Sequence, residues 1–249
     1  MMNSGRLWLL AHQDDEVLGL HLNSNSVVNY VIYLTDGVRS GATYNSSKRV
    51  NEAHAAWNQI DKNAELIFFG TGHALKDGTL REEFGPFHLS ELIKICKKRD
   101  IHEIVTLQLE GGHQDHDIVS MLAEELAFRL SLDLYTFPAY RALHKKYPVY
   151  AVMSSSQKSA EKNSLSIVLR LRYAKQSLIL MKNYHSQLST WIGLGPFVIF
   201  KYLIGNPSFN LRSSTSKASQ GFPSKLLYAN RKKAQPLDYE SFRKGISNW

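Results

Sequence analysis

The sequence predicts an α/β fold in which a mostly parallel sheet is covered by helices on both faces. Short apolar, β-rich runs alternate with longer segments whose apolar residues recur every three or four positions, as strands and helices do. Two clusters rich in His and Asp, at residues 12–16 and 111–117, each follow directly after a predicted strand. Because ligands of such sheets gather beyond the carboxyl ends of the strands, we expect the two clusters to meet there.

The strands are predicted from apolar runs that end in polar or glycine-containing turns. The first run enters the polar cluster at residues 12–16, and the second ends at Thr35-Asp36-Gly37, where the glycine provides turn freedom. Four strands are predicted in this way, at residues 6–11, 27–34, 65–69 and 103–109.

The helices are predicted from their apolar periodicity. Val50, Ala53, Trp57 and Ile60 are spaced so that they share one face of a helix over residues 47–60. The helix expected at 117–130 begins with Asp117, whose charge suits the positive end of the helix dipole. Two further helices are predicted, at residues 89–98 and, with a basic character, at 167–182.

Composition indicates one globular domain with an electrostatic division. The chain of 249 residues is long enough to bury a sizeable core. Residues 1–138 carry 12 Lys and Arg against 19 Asp and Glu, whereas residues 139–249 carry 18 against 3. We therefore predict an α/β core at 1–138 with a basic carboxyl-terminal part, 139–249, packed on the same domain. The basic part could attract phosphate, anionic glycan or membrane surface, with nucleic acid less favoured; a solvated surface is the plain alternative.

The single cysteine and the first ten residues indicate the cellular compartment of the protein. Cys96 excludes an intrachain disulfide framework and is expected to be a core residue on its helix. Residues 1–10 lack the pattern of a secretory signal, so a cytoplasmic protein is expected, with peripheral contact at a membrane as an option. Residues 213–219 are rich in small polar residues and are predicted to form a loop.

An apolar stretch at residues 188–204 is interrupted by Gly193, Gly195, Pro196 and Lys201. It is too short and too broken for a comfortable membrane span. Its aromatic residues are expected in the core, with a lid over the substrate or a shallow membrane contact as alternatives: Trp191, Phe197, Phe200 and Tyr202.

The two polar clusters together predict a metal site. Catalytic zinc commonly takes three ligands from His and carboxylate side chains and keeps one position open for water. His12, Asp15 and His116 provide such a set, and Asp14 remains as a general base, although chemistry alone would let either aspartate ligate. His113 is placed to stabilise an oxyanion or to protonate a leaving amine.

These motifs resemble those of the zinc-dependent deacetylases related to N-acetylglucosaminyl-phosphatidylinositol de-N-acetylase, the PIG-L or LmbE-like family. Its signature is Ala-His-Pro-Asp-Asp-Glu and a later His-x-Asp-His; here the runs are Ala-His-Gln-Asp-Asp-Glu at residues 11–16 and His-Gln-Asp-His at 113–116. The resemblance implies a Rossmann-like sheet and removal of an N-acetyl group from an N-acetylglucosamine-like sugar or glycoconjugate. The basic part would suit an anionic glycoconjugate, and a lipid contact of the apolar stretch would suit a lipid-linked one.

The resemblance also implies roles for single residues. It assigns zinc, or another divalent ion, to His12, Asp15 and His116, the general base to Asp14, and an auxiliary acid or electrostatic role to His113. The matches around Arg49 and Asp77-Gly78 imply that Arg49 and Asp77 contact the sugar, and Tyr184-His185-Ser186-Gln187 resembles a weaker carboxyl-terminal motif.

The sequence departs from the family pattern at two positions. Gln13 replaces a proline and so removes a fixed φ angle. Gly111 lies where some members have a tyrosine that assists with the oxyanion. Two other functions stay open beside deacetylation. Metal-dependent phosphoester hydrolysis is one, because clustered carboxylates and histidines also bind metals for phosphoryl chemistry. Non-catalytic binding of a glycan or lipid surface is the other, suggested by the basic part and the apolar stretch.

Overall fold

The structure is a computed structural model that describes residues 4–24, 26–143, 150–155, 161–162, 165–205, 207–212, 222–223, 228 and 238–249. Its strands are β1 (Gly5–Leu10), β2 (Val28–Tyr33), β3 (Glu65–Ile67), β4 (Ile101–Leu107), β5 (Asp133–Phe137), β6 (Tyr140–Ala142), β7 (Tyr150–Val152), β8 (Glu161–Lys162) and β9 (Ser208–Arg212). Its α-helices are α1 (Glu16–Gly19), α2 (Ser46–Ile60), α3 (Phe69–His73), α4 (Leu80–Glu83), α5 (Pro86–Lys98), α6 (Gln114–Leu130), α7 (Ile167–Asn183), α8 (Leu188–Ile204) and α9 (Tyr239–Asn248). The predicted polar loop at 213–219 lies outside the described residues.

The order of the strands creates a crevice at the centre of the sheet. Within the described residues the main sheet has the order β3-β2-β1-β4-β5-β9-β8, and its first five strands are all parallel. The chain builds outward from β1 through β2 to β3, then returns to the other side of β1 to place β4 and β5. Ligands bind at such a reversal point, which here lies at the carboxyl ends of β1 and β4.

Helices cover both faces of this sheet, as the sequence predicts. Every residue of β1 is buried, although successive side chains point to opposite faces. A strand buried in this way needs a packed layer above and below it. The helix α6 supplies part of that cover through its contacts with β4, β5 and β1.

Several element boundaries differ from the predicted ones, and two of them have a local reason in the structure. The strand predicted at 65–69 ends at Ile67, because the chain turns into α3 where Gly70 packs on the backbone of Thr35. A Cβ on Gly70 would lie 2.3 Å from the Thr35 carbonyl carbon, so only glycine allows this approach. The helix predicted to begin at residue 117 begins at Gln114, because the His113 side chain caps it.

The described elements after residue 138 pack on the sheet or on its covering helices. The strand β9 pairs antiparallel with β5, the helix α7 contacts α2, and α9 contacts α6. Cys96 is buried in α5, as predicted. None of the described helices is both long and apolar enough to cross a membrane.

Candidate functional site

His12, Asp15 and His116 converge at the carboxyl ends of β1 and β4. The Nε2 atom of His116 lies 3.1 Å from Asp15 Oδ1 and 3.3 Å from His12 Nδ1, and His12 Nδ1 lies 3.7 Å from Asp15 Oδ2. All three residues are buried. The Oδ2 atom of Asp15 accepts the backbone N–H groups of Ala11 and His12. These two bonds orient Oδ1 toward His116.

This donor set fits a zinc ion. Ligands about 2.0–2.1 Å from a tetrahedral zinc are about 3.3 Å from one another. The separations of His116 Nε2 from Asp15 Oδ1, 3.1 Å, and from His12 Nδ1, 3.3 Å, are close to that value. Burial alone would raise the pKa of Asp15, but His116 and His12 hold it well below its usual range. The carboxylate is therefore ionised, as a metal ligand must be. His113 also brings a ring nitrogen within 4.8 Å of those of His12 and His116.

Two further carboxylates face the far side of the His12 ring. His12 Nε2 lies 3.2 Å from Asp115 Oδ2 and 3.3 Å from Asp77 Oδ1. A carboxylate on the non-ligating nitrogen of a histidine fixes its tautomer and strengthens it as a ligand. Asp115 is fully buried and also accepts the Gly78 N–H at 2.7 Å. Asp115 lies within the second sequence motif, but its spacing there does not reveal this contact with His12.

Asp14 lies beside the ligands and is held by Arg49. The Arg49 Nη2 donates to Asp14 Oδ1 at 2.9 Å and also to the Gln13 carbonyl. Asp14 has a φ of 140°, a strained value for a residue with a Cβ, and such strain clusters at functional sites. Burial raises the pKa of Asp14 to about 6, against the lowering effect of Arg49. Arg49 is only 1% exposed. Much of its hydrogen bonding is therefore made to the protein itself and not to the sugar that the sequence predicts as its partner.

His113 presents one ring nitrogen to the site. Its Nδ1 accepts the Asp115 N–H at 3.2 Å, so in the neutral ring the proton is carried by Nε2. That Nε2 lies 3.9 Å from Asp77 Oδ1. Burial, with His12 nearby, lowers the pKa of His113 to about 4. The arrangement suits a neutral N–H donor to an oxyanion.

The structure shows what lies around the two departures from the family pattern, at Gln13 and near Gly111. The Gln13 side chain is buried and donates to the Thr35 carbonyl at 3.2 Å, which joins the exits of β1 and β2 where a proline could not. Tyr140, just after β5, places its ring 5.7 Å from that of His116 and lines the cavity. Gly112 is required beside it, since a Cβ there would lie 1.9 Å from the Tyr140 carbonyl oxygen. Tyr140 was missed in the sequence, where no strand was predicted near it.

The weaker motif at residues 184–187 supports the same site. The Ser186 hydroxyl donates to Glu52 at 2.5 Å and accepts a hydrogen bond from Arg49 at 3.1 Å. The motif therefore helps to position Arg49, which in turn bonds to Asp14. The Tyr184 hydroxyl donates to the buried Glu16, next to the proposed ligand Asp15. Gln187 lines the cavity.

A cavity of about 680 Å³ opens above these side chains. One wall is polar and includes Asp14, Arg39, Asp77 and His113. The helix α8 forms another part of the wall, through Thr190, Trp191, Gly193, Leu194 and Phe197. The volume and the mixed lining are typical of a site for a small or medium-sized ligand.

Comparisons with known proteins agree with the sequence motifs. Residues 7–127 match the model of the PIG-L family, described as GlcNAc-PI de-N-acetylase. No curated protein sequence matched the chain. Solved structures with the same fold include a deacetylase of the teicoplanin biosynthesis pathway, at 15% identity and a TM-score of 0.58, which covers 86% of this chain and 100% of that one.

Two other solved structures give the same result. The zinc-inhibited form of the teicoplanin deacetylase Orf2 has 15% identity and a TM-score of 0.58, over 86% of this chain and 100% of its own. The A40926 pseudoaglycone deacetylase Dbv21 has 14% identity and a TM-score of 0.55, over 87% and 99%. At these identities the likeness concerns the fold. Residues 7–127, which contain both motifs, therefore form a domain that matches the PIG-L family.

Proposed function

We propose that this protein is a zinc-dependent hydrolase that removes the N-acetyl group from an N-acetylglucosamine-like sugar or glycoconjugate. The observation that carries the proposal is the convergence of His12, Asp15 and His116 beside Asp14 at the floor of one cavity. Binding alone does not need a carboxylate held next to the ligand set. Hydrolysis does, because water must lose a proton as it attacks.

The side chains divide the reaction between them. Bound by His12, Asp15 and His116, zinc would supply Lewis acidity toward the amide carbonyl and lower the pKa of water. Asp14 would take the proton from water as its oxygen bonds to the acetyl carbon. His113 would donate a hydrogen bond from Nε2 to the carbonyl oxygen as negative charge develops there. The carbon–nitrogen bond then breaks, the nitrogen gains the proton held by Asp14, and the products are acetate and the free amine.

The substrate is proposed from the cavity and from the relatives. The family is described by its action on GlcNAc-PI, and the names of two structural neighbours refer to teicoplanin and to the A40926 pseudoaglycone. The apolar wall formed by α8 gives room beside the sugar for an apolar aglycone, and Arg39 on the polar wall could accept an anionic one. Divalent ions other than zinc suit the same ligands.

The test is acetate release from a panel of N-acetylated sugars and glycoconjugates by the metal-loaded protein. Asp14→Ala should keep its metal and lose on the order of 100- to 10,000-fold in kcat, the range for a general base. Asp100→Ala is the matched control, because that aspartate is 75% exposed and remote from the cavity. A metal-loaded wild type that releases no acetate from any member of the panel would refute the proposal.

Phosphoester hydrolysis is the second candidate, and the same panel can include phosphoesters. A second group of possible ligands exists in the described part of the chain, consisting of His12, Asp77, His113 and Asp115. It shares His12 with the first set, however, and two-metal phosphoesterases need ligands for two ions about 3.5–4 Å apart. Phosphate release without acetate release would favour this candidate. Unchanged glycan binding without any turnover, with or without zinc, would favour a non-catalytic role.

A further inference from the structure

The solvent-facing side of α8 is mostly apolar. Six of its large apolar side chains are between 43% and 70% exposed: Leu188, Ile192, Phe197, Phe200, Leu203 and Ile204. The opposite side of the helix is buried through Trp191, Val198 and Tyr202. Most helices of globular proteins turn charged or polar residues toward water. This helix instead has apolar residues on both sides, and no packed layer of described residues covers the outer one.

The neighbouring helix α7 extends this surface and adds positive charge. Its exposed stripe contains five apolar side chains, namely Ile167, Val168, Leu171, Leu178 and Ile179. Arg172, Lys175 and Lys182 are also exposed on this helix. Residues 165–205 contain five Lys and Arg and no Asp or Glu. An apolar face with basic residues and without acidic ones is the composition of helices that lie in the interface of an anionic membrane.

The same surface borders the cavity. Phe197 lines the cavity and is 58% exposed, so the wall of the site continues into the outer face of α8. A bilayer in contact with the α7–α8 hairpin would therefore lie beside the mouth of the cavity. None of the described helices can span a membrane, so contact through this surface would be peripheral.

We propose that the outer face of the α7–α8 hairpin docks on an anionic lipid bilayer, with its apolar side chains inserted among the acyl chains and its basic side chains at the headgroups. The partner is a bilayer rather than a second copy of the chain, because the basic residues repel their own copies and attract anionic lipid. Docking does not depend on the proposed function.

Flotation of the metal-loaded protein with vesicles of phosphatidylglycerol and phosphatidylcholine tests this proposal. Phe200→Ser/Ile204→Ser removes two apolar side chains that do not line the cavity. The matched control is Phe87→Ser/Phe128→Ser, whose side chains are 61% and 52% exposed, against 60% and 53% for the first pair. We expect the first variant to bind vesicles on the order of tenfold more weakly than wild type, and the control to bind as wild type does.

Charge and assembly give the remaining outcomes. Pure phosphatidylcholine vesicles, or high salt with anionic ones, should bind less wild type, since both remove the attraction to the headgroups. The proposal fails if wild type does not float, if both variants float equally, or if the first variant only converts a dimer to a monomer in analytical ultracentrifugation. Acetate release from a water-soluble substrate, measured on the same samples, reports on the deacetylase separately, since docking can persist without turnover.

Discussion

Arg49 connects three parts of the site through one buried guanidinium. It bonds to Asp14, to the Gln13 carbonyl and to Ser186, so the proposed base, the first motif and the carboxyl-terminal motif meet at its planar fork. Its position in the cavity wall agrees with the predicted sugar contact, but its bonds indicate that it positions Asp14. A planar guanidinium can serve several acceptors at fixed angles, whereas an ammonium cannot.

Arg49→Lys should therefore lower kcat more than it changes KM. We expect kcat to fall about 10- to 100-fold, the cost of a base displaced by about 1 Å, with metal content unchanged. Arg39→Lys is the control, because Arg39 lines the same cavity without contact to Asp14, and its kcat should stay near that of wild type. Steady-state kinetics on the best substrate measures both. A rise in KM at constant kcat would instead make Arg49 a sugar contact.

Asp115 should tune the affinity for the metal. Asp115→Asn keeps the size of the side chain but removes the charge that faces His12 Nε2 at 3.2 Å. Loss of such a partner typically weakens metal binding about 10- to 100-fold, and competition with a chelating dye measures the change. Asp36→Asn, near Asp77 but without contact to His12, should bind the metal as wild type does. Equal affinity in all three proteins would contradict the positioning role of Asp115.

At the scale of elements, the sequence predicted the bounds of the strands β1 and β2 better than the start of the helix α6. Apolar runs locate β1 and β2 within one residue, because buried strands of a parallel sheet need such runs. The start of α6 was predicted three residues late. His113 caps it through a ring nitrogen, and histidine is not among the usual capping residues that a sequence search looks for.

The roles of Asp115 and Arg49 could not be predicted for a related reason. Both depend on partners far away in sequence: Asp115 faces His12 across 103 positions, and Arg49 meets Ser186 across 137. Motif spacing records which side chains lie near one strand end. It does not record which atoms of two loops face each other, so the ligand set could be predicted and its supporting carboxylates could not.

The helix α9 stabilises the loop before the second motif from outside the sheet. The Tyr239 hydroxyl donates to Asp117 Oδ2 at 2.6 Å, and Asp117 Oδ1 accepts the N–H groups of Glu110 and Gly111. Tyr239→Phe removes one hydrogen-bond donor from this buried carboxylate and a partner from the Tyr228 hydroxyl, which should lower the free energy of unfolding by about 1–3 kcal/mol in urea denaturation. Tyr30→Phe, at a half-buried tyrosine, should change it by less than about 0.5 kcal/mol. Equal losses would show that the bond to Asp117 contributes little.

At the scale of the whole molecule, the acidic and basic parts share one sheet. The predicted boundary near residue 138 marks a change of charge, yet β9 from the basic part pairs with β5 from the acidic part. Arg212 on β9 bonds to Glu124 on α6, so opposite charges meet where the parts join. Charge counts along the sequence could indicate two parts but not this packing, since pairing between residues as far apart as Leu134 and Arg212 leaves no local signal.

The stability of the whole fold should depend on His21, which is buried where α8 packs behind the sheet. Burial lowers the pKa of His21 to about 3, so the folded protein keeps the ring neutral, while the unfolded chain takes up a proton below about pH 6.5. This contribution to stability is therefore complete above pH 6.5 and is lost as the pH falls toward 3. Between pH 7 and pH 5, wild type should lose about 2 kcal/mol more unfolding free energy than His21→Gln, in which this titration is absent.

The control is His54→Gln, at an exposed histidine, which should follow wild type. Urea denaturation of each protein at both pH values measures the loss, and the comparison between the proteins cancels the other titrating groups. Parallel losses in all three proteins would mean that His21 titrates alike in the folded and unfolded chains.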